Sequence, residues 1–346
     1  MLGDYRVVDC TDRLGWLAGR ILADLGADVV KVESPGAALD GPDWQAYNVN
    51  KRLLSLDLDG EAGMEVLRRL AEGADFLLES AAPGSAAAAF LDPDRLRAAN
   101  RGLIHVSITP FGRTGPRARW RASDIELMAA GGAMALAGEP DGMPVRVSVA
   151  QSCGWAGAQA AAGALAALIH RGATGGGQHV DVSAQASVIA ALANAPTFWD
   201  IEGTVPTRAG AFMSGRSVLG ARYRVFWPCR EGYFNFILYG GVAGRRTNEG
   251  LVAWMREAGA ELGVLAEIDW AQFDPTQASQ AEVDAIEEPI GRFFLTLSKE
   301  EFLEGACERQ MLGYPVSTVA DIATDPQLAA RGYWQDVAGP GGGTQR

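Results

Sequence analysis

Tyr5-Arg-Val-Val-Asp-Cys-Thr11, followed by Leu14–Leu25 and then Gly26-Ala-Asp-Val-Val-Lys-Val-Glu-Ser-Pro35, is the stretch that decides the fold. Arg6–Cys10 is a short apolar run suited to a buried strand, and Leu14–Leu25 carries helical periodicity. That periodicity stops at Gly26, a residue type that readily adopts the left-handed conformation closing many helices. Asp28–Glu33 is a second strand-like run, closed by Ser34-Pro35-Gly36. Strand, helix and strand within about thirty residues make a βαβ unit, which requires a parallel sheet.

The theme repeats. Leu53–Leu58, Phe76–Glu79 and Leu103–Thr109 are strand-like, with helices expected over Gly60–Ala71 and, opened by Asp92-Pro93, over Asp92–Asn100. Ser123–Ala137 reads as one long helix capped by Ser123, with Glu126 three residues on completing a capping box. Gly154–Arg171 is apolar nearly all round, which predicts a deeply buried helix, and His179–Ser183 supplies a further strand. Beyond it the texture changes. Residues 201–221 read as a linker, Tyr223–Leu238 alternates like a hairpin turning at Arg230-Glu-Gly232, and Thr247–Glu308 is helical. The expected division is a large domain over 1–200, a small domain over 222–317, and a return segment over 318–346 that rejoins the large domain and ends in the Gly-rich tail 339–346.

Composition sets the function classes. The 346 residues are 48% hydrophobic and 21% charged, ordinary for a globular chain with a substantial core. A net charge of -12 argues against a nucleic-acid partner, because phosphate backbones want a basic surface. The four cysteines, Cys10, Cys153, Cys229 and Cys307, are widely spaced and show no metal-ligand pattern, so reduced thiols and no metal site are expected. No basic leader precedes an apolar core at the N-terminus, and Ala158–Ile169 is shorter than the ~20 residues of a bilayer span. A cytoplasmic protein without a membrane partner is the expectation. The loop Thr11–Gly19 lacks GxGxxG, and no GxxxxGK[ST], HExxH or GxSxG occurs, so no bound cofactor is expected.

Several ordered segments carry a resemblance: the opening run through Pro35, Asn50-Lys-Arg-Leu-Leu-Ser-Leu-Asp57, Pro144-Val-Arg-Val147 and Ala320-Asp-Ile-Ala-Thr-Asp-Pro-Gln-Leu-Ala-Ala-Arg-Gly332. Together they resemble the family III CoA-transferases, the CaiB/BaiF family. The resemblance implies an α/β fold with a Rossmann-like parallel sheet in the large domain, a smaller α+β domain, and two chains interlocked as a dimer. It also implies a further segment of the large domain after Arg346. Members of the family move CoA between carboxylic acids, or racemise or isomerise acyl-CoA thioesters, with CoA or acyl-CoA as substrate. In the transferases an Asp carboxylate attacks the thioester, giving a mixed anhydride and free CoA thiolate. The thiolate then attacks the aspartyl carbonyl, releasing the acid and leaving an aspartyl-CoA thioester.

Aligning Pro144-Val-Arg-Val147 without gaps puts Cys153 where the family carries that Asp. A thiol accepts an acyl group by transthioesterification but forms no acyl anhydride, and it holds CoA only as a disulfide. The expected role of Cys153 is an inactive filler at a helix start. The racemase branch implies a His near Ser123, before Asp124, and an acid at Cys153, and only Asp124 matches. The loop after the fourth strand usually reads Glu-Asn-Phe-Xaa-Pro-Gly with an Arg soon after. Here it is Glu79-Ser-Ala-Ala-Pro-Gly84 followed by Ser and Ala, and the family's adenine-side Lys corresponds to Asp59. Lys51, Arg52 and Arg113 remain as CoA-binding candidates, with Arg117, Arg119 and Arg121 also basic nearby; Gly240–Gly244 is a candidate lid or plain turn.

These residues imply a CoA-transferase subunit that acts on acyl-CoA, such as succinyl-CoA, and an aromatic or dicarboxylic acid. Its catalytic Asp is expected from a homologous subunit in a heteromer, this chain itself being inactive. The resemblance to benzylsuccinate CoA-transferases in Val252–Gly259 and Ile286–Phe294 points the same way. Two readings stand beside it: an active homodimeric transferase with an atypical nucleophile, and a non-enzymatic acyl-CoA-binding or assembly homologue.

Overall fold

The computed structural model describes residues 1–39, 41–338 and 344–345, so the Gly-rich tail lies outside the described residues except for Thr344 and Gln345. Two compact units divide the chain between Arg208 and Ala209, inside the stretch 201–221.

The first unit runs β1 (Arg6–Cys10), α1 (Trp16–Asp24), β2 (Asp28–Glu33), α2 (Pro42–Asn48), β3 (Arg52–Ser55), α3 (Glu61–Glu72), β4 (Phe76–Glu79), α4 (Ala86–Phe90), α5 (Pro93–Ala99), β5 (Ile104–Thr109), α6 (Asp124–Ala130), α7 (Ala133–Leu136), α8 (Ser152–Thr174), β6 (His179–Ser183), α9 (Ala184–Ala191) and α10 (Asn194–Glu202). The six strands form one parallel sheet in the order β3-β2-β1-β4-β5-β6. Strands covered on both faces need apolar side chains on both. Val7, Phe76, Leu78 and Val106 pack against α1 and α8, while Val8, Leu77 and Leu103 pack against Met64 and Leu67 of α3 and Leu96 of α5. The α/β fold read from the sequence is the fold observed.

Two helices differ from expectation. The helix expected over Ser123–Ala137 breaks at Gly131-Gly132, where Gly132 takes φ 88°. A Cβ on Gly131 would stand 2.3 Å from Val188 Cγ1, so the bare backbone there is what lets α9 approach. The Ser123–Glu126 capping box does form, with Glu126 accepting the Ser123 amide at 2.8 Å. Helix α8 extends to 23 residues and holds an 18-residue stretch of mean hydropathy 1.3, long and apolar enough to cross a bilayer by length and composition, where Ala158–Ile169 alone is too short. Here its alanine face packs on the sheet and on α1. A Cβ on Gly157 would come 2.7 Å from Leu17 Cβ, so glycine permits the close α1–α8 contact.

The second unit holds β7 (Phe212–Met213), β8 (Tyr223–Arg224), β9 (Phe226–Cys229), β10 (Gly232–Asn235), α11 (Gly241–Glu257), α12 (Gln280–Phe294), α13 (Lys299–Glu308), β11 (Tyr314–Pro315), α14 (Val319–Thr324) and α15 (Pro326–Ala330). The expected hairpin is β9–β10, with Cys229 opposite Gly232. Gly241–Gly244 is not a plain turn but the first turn of α11, with Gly240 as its N-cap. Trp227, Phe234, Phe236, Phe294 and Phe302 make an aromatic core in which Phe234 and Phe302 stack at 3.8 Å. Lys299 Nζ, 2.8 Å from Asp321, ties α14 to this unit.

Candidate functional site

In an open parallel sheet, ligands bind outside the carboxyl ends of strands where the winding reverses, here between β1 and β4. The loops leaving those strands touch: the Asp12 amide donates to Ser80 Oγ at 3.4 Å.

Cys153 is the second residue of α8 and 8% exposed. A helix N-terminus ordinarily favours a thiolate, but this one already holds a carboxylate. Asp124 Oδ1 accepts the amides of Gln151 and Ser152, both at 2.8 Å, and the Ser152 hydroxyl at 2.9 Å. Asp124 therefore acts as the cap of the helix that carries Cys153. Burial pushes the Cys153 thiol up, Asp124 adds to the rise, and Arg13 only partly opposes it. A protonated, buried thiol is a poor nucleophile.

Beside this helix start, Arg13, Asp43, Tyr47, Ser123, Asp124 and Arg146 help line a cavity of about 660 Å³. Arg13 is ion-paired with Asp43. Burial raises the Tyr47 phenol, with Cys153 close enough to add to it. Arg13 and Tyr47 escaped the sequence reading, although Arg13 lies in the first loop after β1, where the winding rule directs attention.

Each of the three CoA-binding candidates has a carboxylate partner. Lys51 is buried, and its three N–H donors reach Asp9 Oδ2, the Trp16 carbonyl and Asn48 Oδ1, all at 2.8 Å. Lys31, also buried, lies 3.9 Å from Asp9 and 3.1 Å from Glu33. Burial alone would raise the Asp9 carboxyl, but the two lysines outweigh it and hold it low; Lys51 itself is lowered by burial despite Asp9. Arg52 forms a bidentate pair with Asp28, at 2.8 and 2.6 Å. Arg113 donates to Glu79 Oε1 at 3.1 Å, while its backbone amide is held by Asp181 at 3.0 Å. None of the three presents a free cation.

Glu79, fully buried, links the loops after β4 and β5, since it also accepts the Ala81 amide at 2.5 Å. Burial works against its ionisation, and His105 and Ser107 more than compensate. Ser107 Oγ lies 2.9 Å from His179 Nε2, a nucleophile–base spacing. Ser107 is 0% exposed, so no substrate reaches it and the pair is structural. Asp59 lines a cavity of about 920 Å³ together with Glu61 and Glu65, a charge that repels phosphate.

The model of the CoA-transferase family III matches residues 2–346. The chain is 36% identical to the succinyl-CoA:(R)-benzylsuccinate CoA-transferase subunit BbsE of Thauera aromatica, over 96% of this chain and 82% of that one. It is 32% identical to the succinate–glutarate CoA-transferase of Agrobacterium fabrum, over 97% and 85% respectively. A crystal structure of a CaiB/BaiF family protein from Brucella suis superposes with a TM-score of 0.79 at 30% identity, covering 96% of this chain and 88% of that one. Enzymes of this class use CoA thioesters as substrates. With a family model that spans residues 2–346 and relatives matched over more than four-fifths of their length, the chain belongs to CoA-transferase family III.

Proposed function

We propose that this chain is the partner-dependent subunit of a CoA-transferase that moves CoA from an acyl-CoA such as succinyl-CoA to an aromatic or dicarboxylic acid. One observation carries the reading: Cys153, buried and with its thiol raised, stands at the place aligned with the family's nucleophilic Asp, under a helix N-terminus already occupied by Asp124. The anhydride step needs a carboxylate that becomes acylated, releases CoA thiolate and then takes the thiolate back on its own carbonyl. A homologous subunit brings that Asp. A curated relative, 36% identical, is itself named as a subunit. Helix α10 supports a covered surface, since no residue of it is buried and Trp199 and Ile201 are 63% and 75% exposed. The same surface suits the interlocked pairing of the family, in a cytoplasmic setting where its thiols stay reduced.

The test is intact-mass and peptide mass spectrometry after incubation with succinyl-CoA, of this chain alone and with any homologous subunit that co-purifies. The expected result is no covalent adduct on this chain and an aspartyl adduct on the partner. An acyl group on Cys153, or CoA on a carboxylate of this chain, sinks the reading.

A further inference from the structure

We propose that the cavity over Glu287, in the second unit, is a binding site for an alkylammonium group whose charge pairs with this buried carboxylate. The inference goes beyond the transferase reading and does not depend on which subunit brings the nucleophile.

The other buried carboxylates are matched by cations: Asp9 by Lys31 and Lys51, Glu79 by Arg113. Glu287 on α12 is 8% exposed, and among the described residues it joins no ion pair. Its Oε1 accepts the Arg224 amide at 2.7 Å, and its Oε2 has no hydrogen-bond partner among those residues. The Arg224 guanidinium is engaged elsewhere, 4.7 Å from the Phe212 ring centroid and 5.5 Å from that of Trp227. A carboxylate taken out of water without a cation is costly. Burial accordingly pushes the Glu287 carboxyl up to about 7, and the amide and charge of Arg224 oppose this only in part.

A cation from outside has room to reach it. Glu287 helps line a cavity of about 330 Å³ with Arg224, Trp227, Pro228, Asp284 and Leu295, all within the second unit. That volume is at the small end of ligand sites and suits a short amine. The charged groups around Glu287 are Arg224 of β8 and Asp284 and Glu288 of its own helix, while β9 brings Trp227 and Pro228. Glu288 is already paired with Arg292, and Asp284 accepts the Gln280 side-chain amide at 2.8 Å. Glu287 is left to receive the N–H donors of an ammonium. A divalent metal fits less well, because it wants several oxygen ligands at once. Among the described residues no group of three such side chains could supply them. Leu295, 53% exposed, and Pro228 give a carbon stem an apolar wall beside solvent. A free amine and a lysine of another protein present the same group.

The experiment is a thermal melt of the protein as purified, in about 50 mM n-butylamine hydrochloride against the same concentration of sodium chloride. At pH 8 the wild type is expected to gain about 2–4 °C, as the amine binds ionised Glu287 in the folded state alone. At about pH 5.5 the gain falls below about 1 °C, since the amine stays charged while Glu287 is protonated. Glu287→Gln shows no gain at either pH, whereas Glu300→Gln, at an exposed carboxylate of α13, keeps all of it. The uncharged n-butanol gives none, which separates the charge from the stem. Nα-acetyl-lysine methylamide distinguishes the sources: a gain equal to that of n-butylamine assigns the cavity to a protein lysine, and a gain from n-butylamine alone assigns it to a free amine. Equal gains in the wild type and Glu287→Gln, a gain that ignores pH, or no gain at pH 8 overturns the proposal.

Discussion

The lysines around Asp9 and the arginines after β5 put positive charge to opposite uses in one unit. Lys31 and Lys51 are buried and matched by Asp9 and Glu33, so their charges hold the sheet together and are closed to any ligand. Arg117, Arg119 and Arg121 are exposed and, among the described residues, have no ion-pair partner, so they contribute little to the fold. The difference lies in surroundings, not in residue type. A cation that must be desolvated needs a carboxylate and full hydrogen bonding, whereas one left in water does not.

The sharpest way to break this comparison is Lys51→Ala. It leaves Asp9 buried with Lys31 alone, 3.9 Å away, and is expected to cost about 3–5 kcal/mol in urea unfolding. A loss below about 1 kcal/mol, the scale of an exposed pair, would erase the distinction.

Glu287 is the next test, because it is a buried carboxylate without the compensation Asp9 enjoys. Its Oε1 accepts only the Arg224 amide, at 2.7 Å, and burial pushes its carboxyl up to about 7. A carboxyl raised in the folded state gives stability that is full below its ordinary value of 4.5 and is lost as pH rises through about 7. Glu287→Gln is therefore expected to be more stable than the parent at pH 8 by roughly 1–3 kcal/mol, with the gap closing towards pH 4.5. A pH-independent difference between the two proteins would remove the assignment.

Smaller is the effect of Asp124→Ala, which uncaps α8 and is expected to cost about 0.5–2 kcal/mol in denaturant unfolding. Asp124→Asn keeps an acceptor but removes the charge that raises the Cys153 thiol, so alkylation of Cys153 shifts to lower pH. An unchanged alkylation profile would mean that the carboxylate does not govern the thiol. The least effect belongs to Arg52→Ala. Its pair with Asp28 is bidentate but exposed, 66% and 40% for the two side chains, so a change under about 1 kcal/mol is expected from thermal melts.

Much of the fold was legible because its signals are local. Arg6–Cys10, Asp28–Glu33, Phe76–Glu79 and His179–Ser183 are strands at the bounds the apolar runs predict, and Asp92 and Ser123 open their helices as expected. The break at Gly131-Gly132 was missed, since its cause is the approach of Val188, far along the chain. The candidate site was legible in part. Cys153 departs from the family pattern while Asp124 keeps it, and the structure joins the two through the N-terminus of α8. Lys51, Arg52 and Arg113 are basic residues in family-like segments, yet each is matched by a carboxylate distant in sequence.

By itself, the sequence determined the parallel sheet, the family and the absence of an Asp at position 153, because strand patterning and ordered motifs are properties of short segments. Only the tertiary structure decided which cations are closed and which are open. Burial and pairing depend on neighbours that the chain brings together from tens of residues away, as Asp9 meets Lys51 and as Gly84 makes room for Arg119.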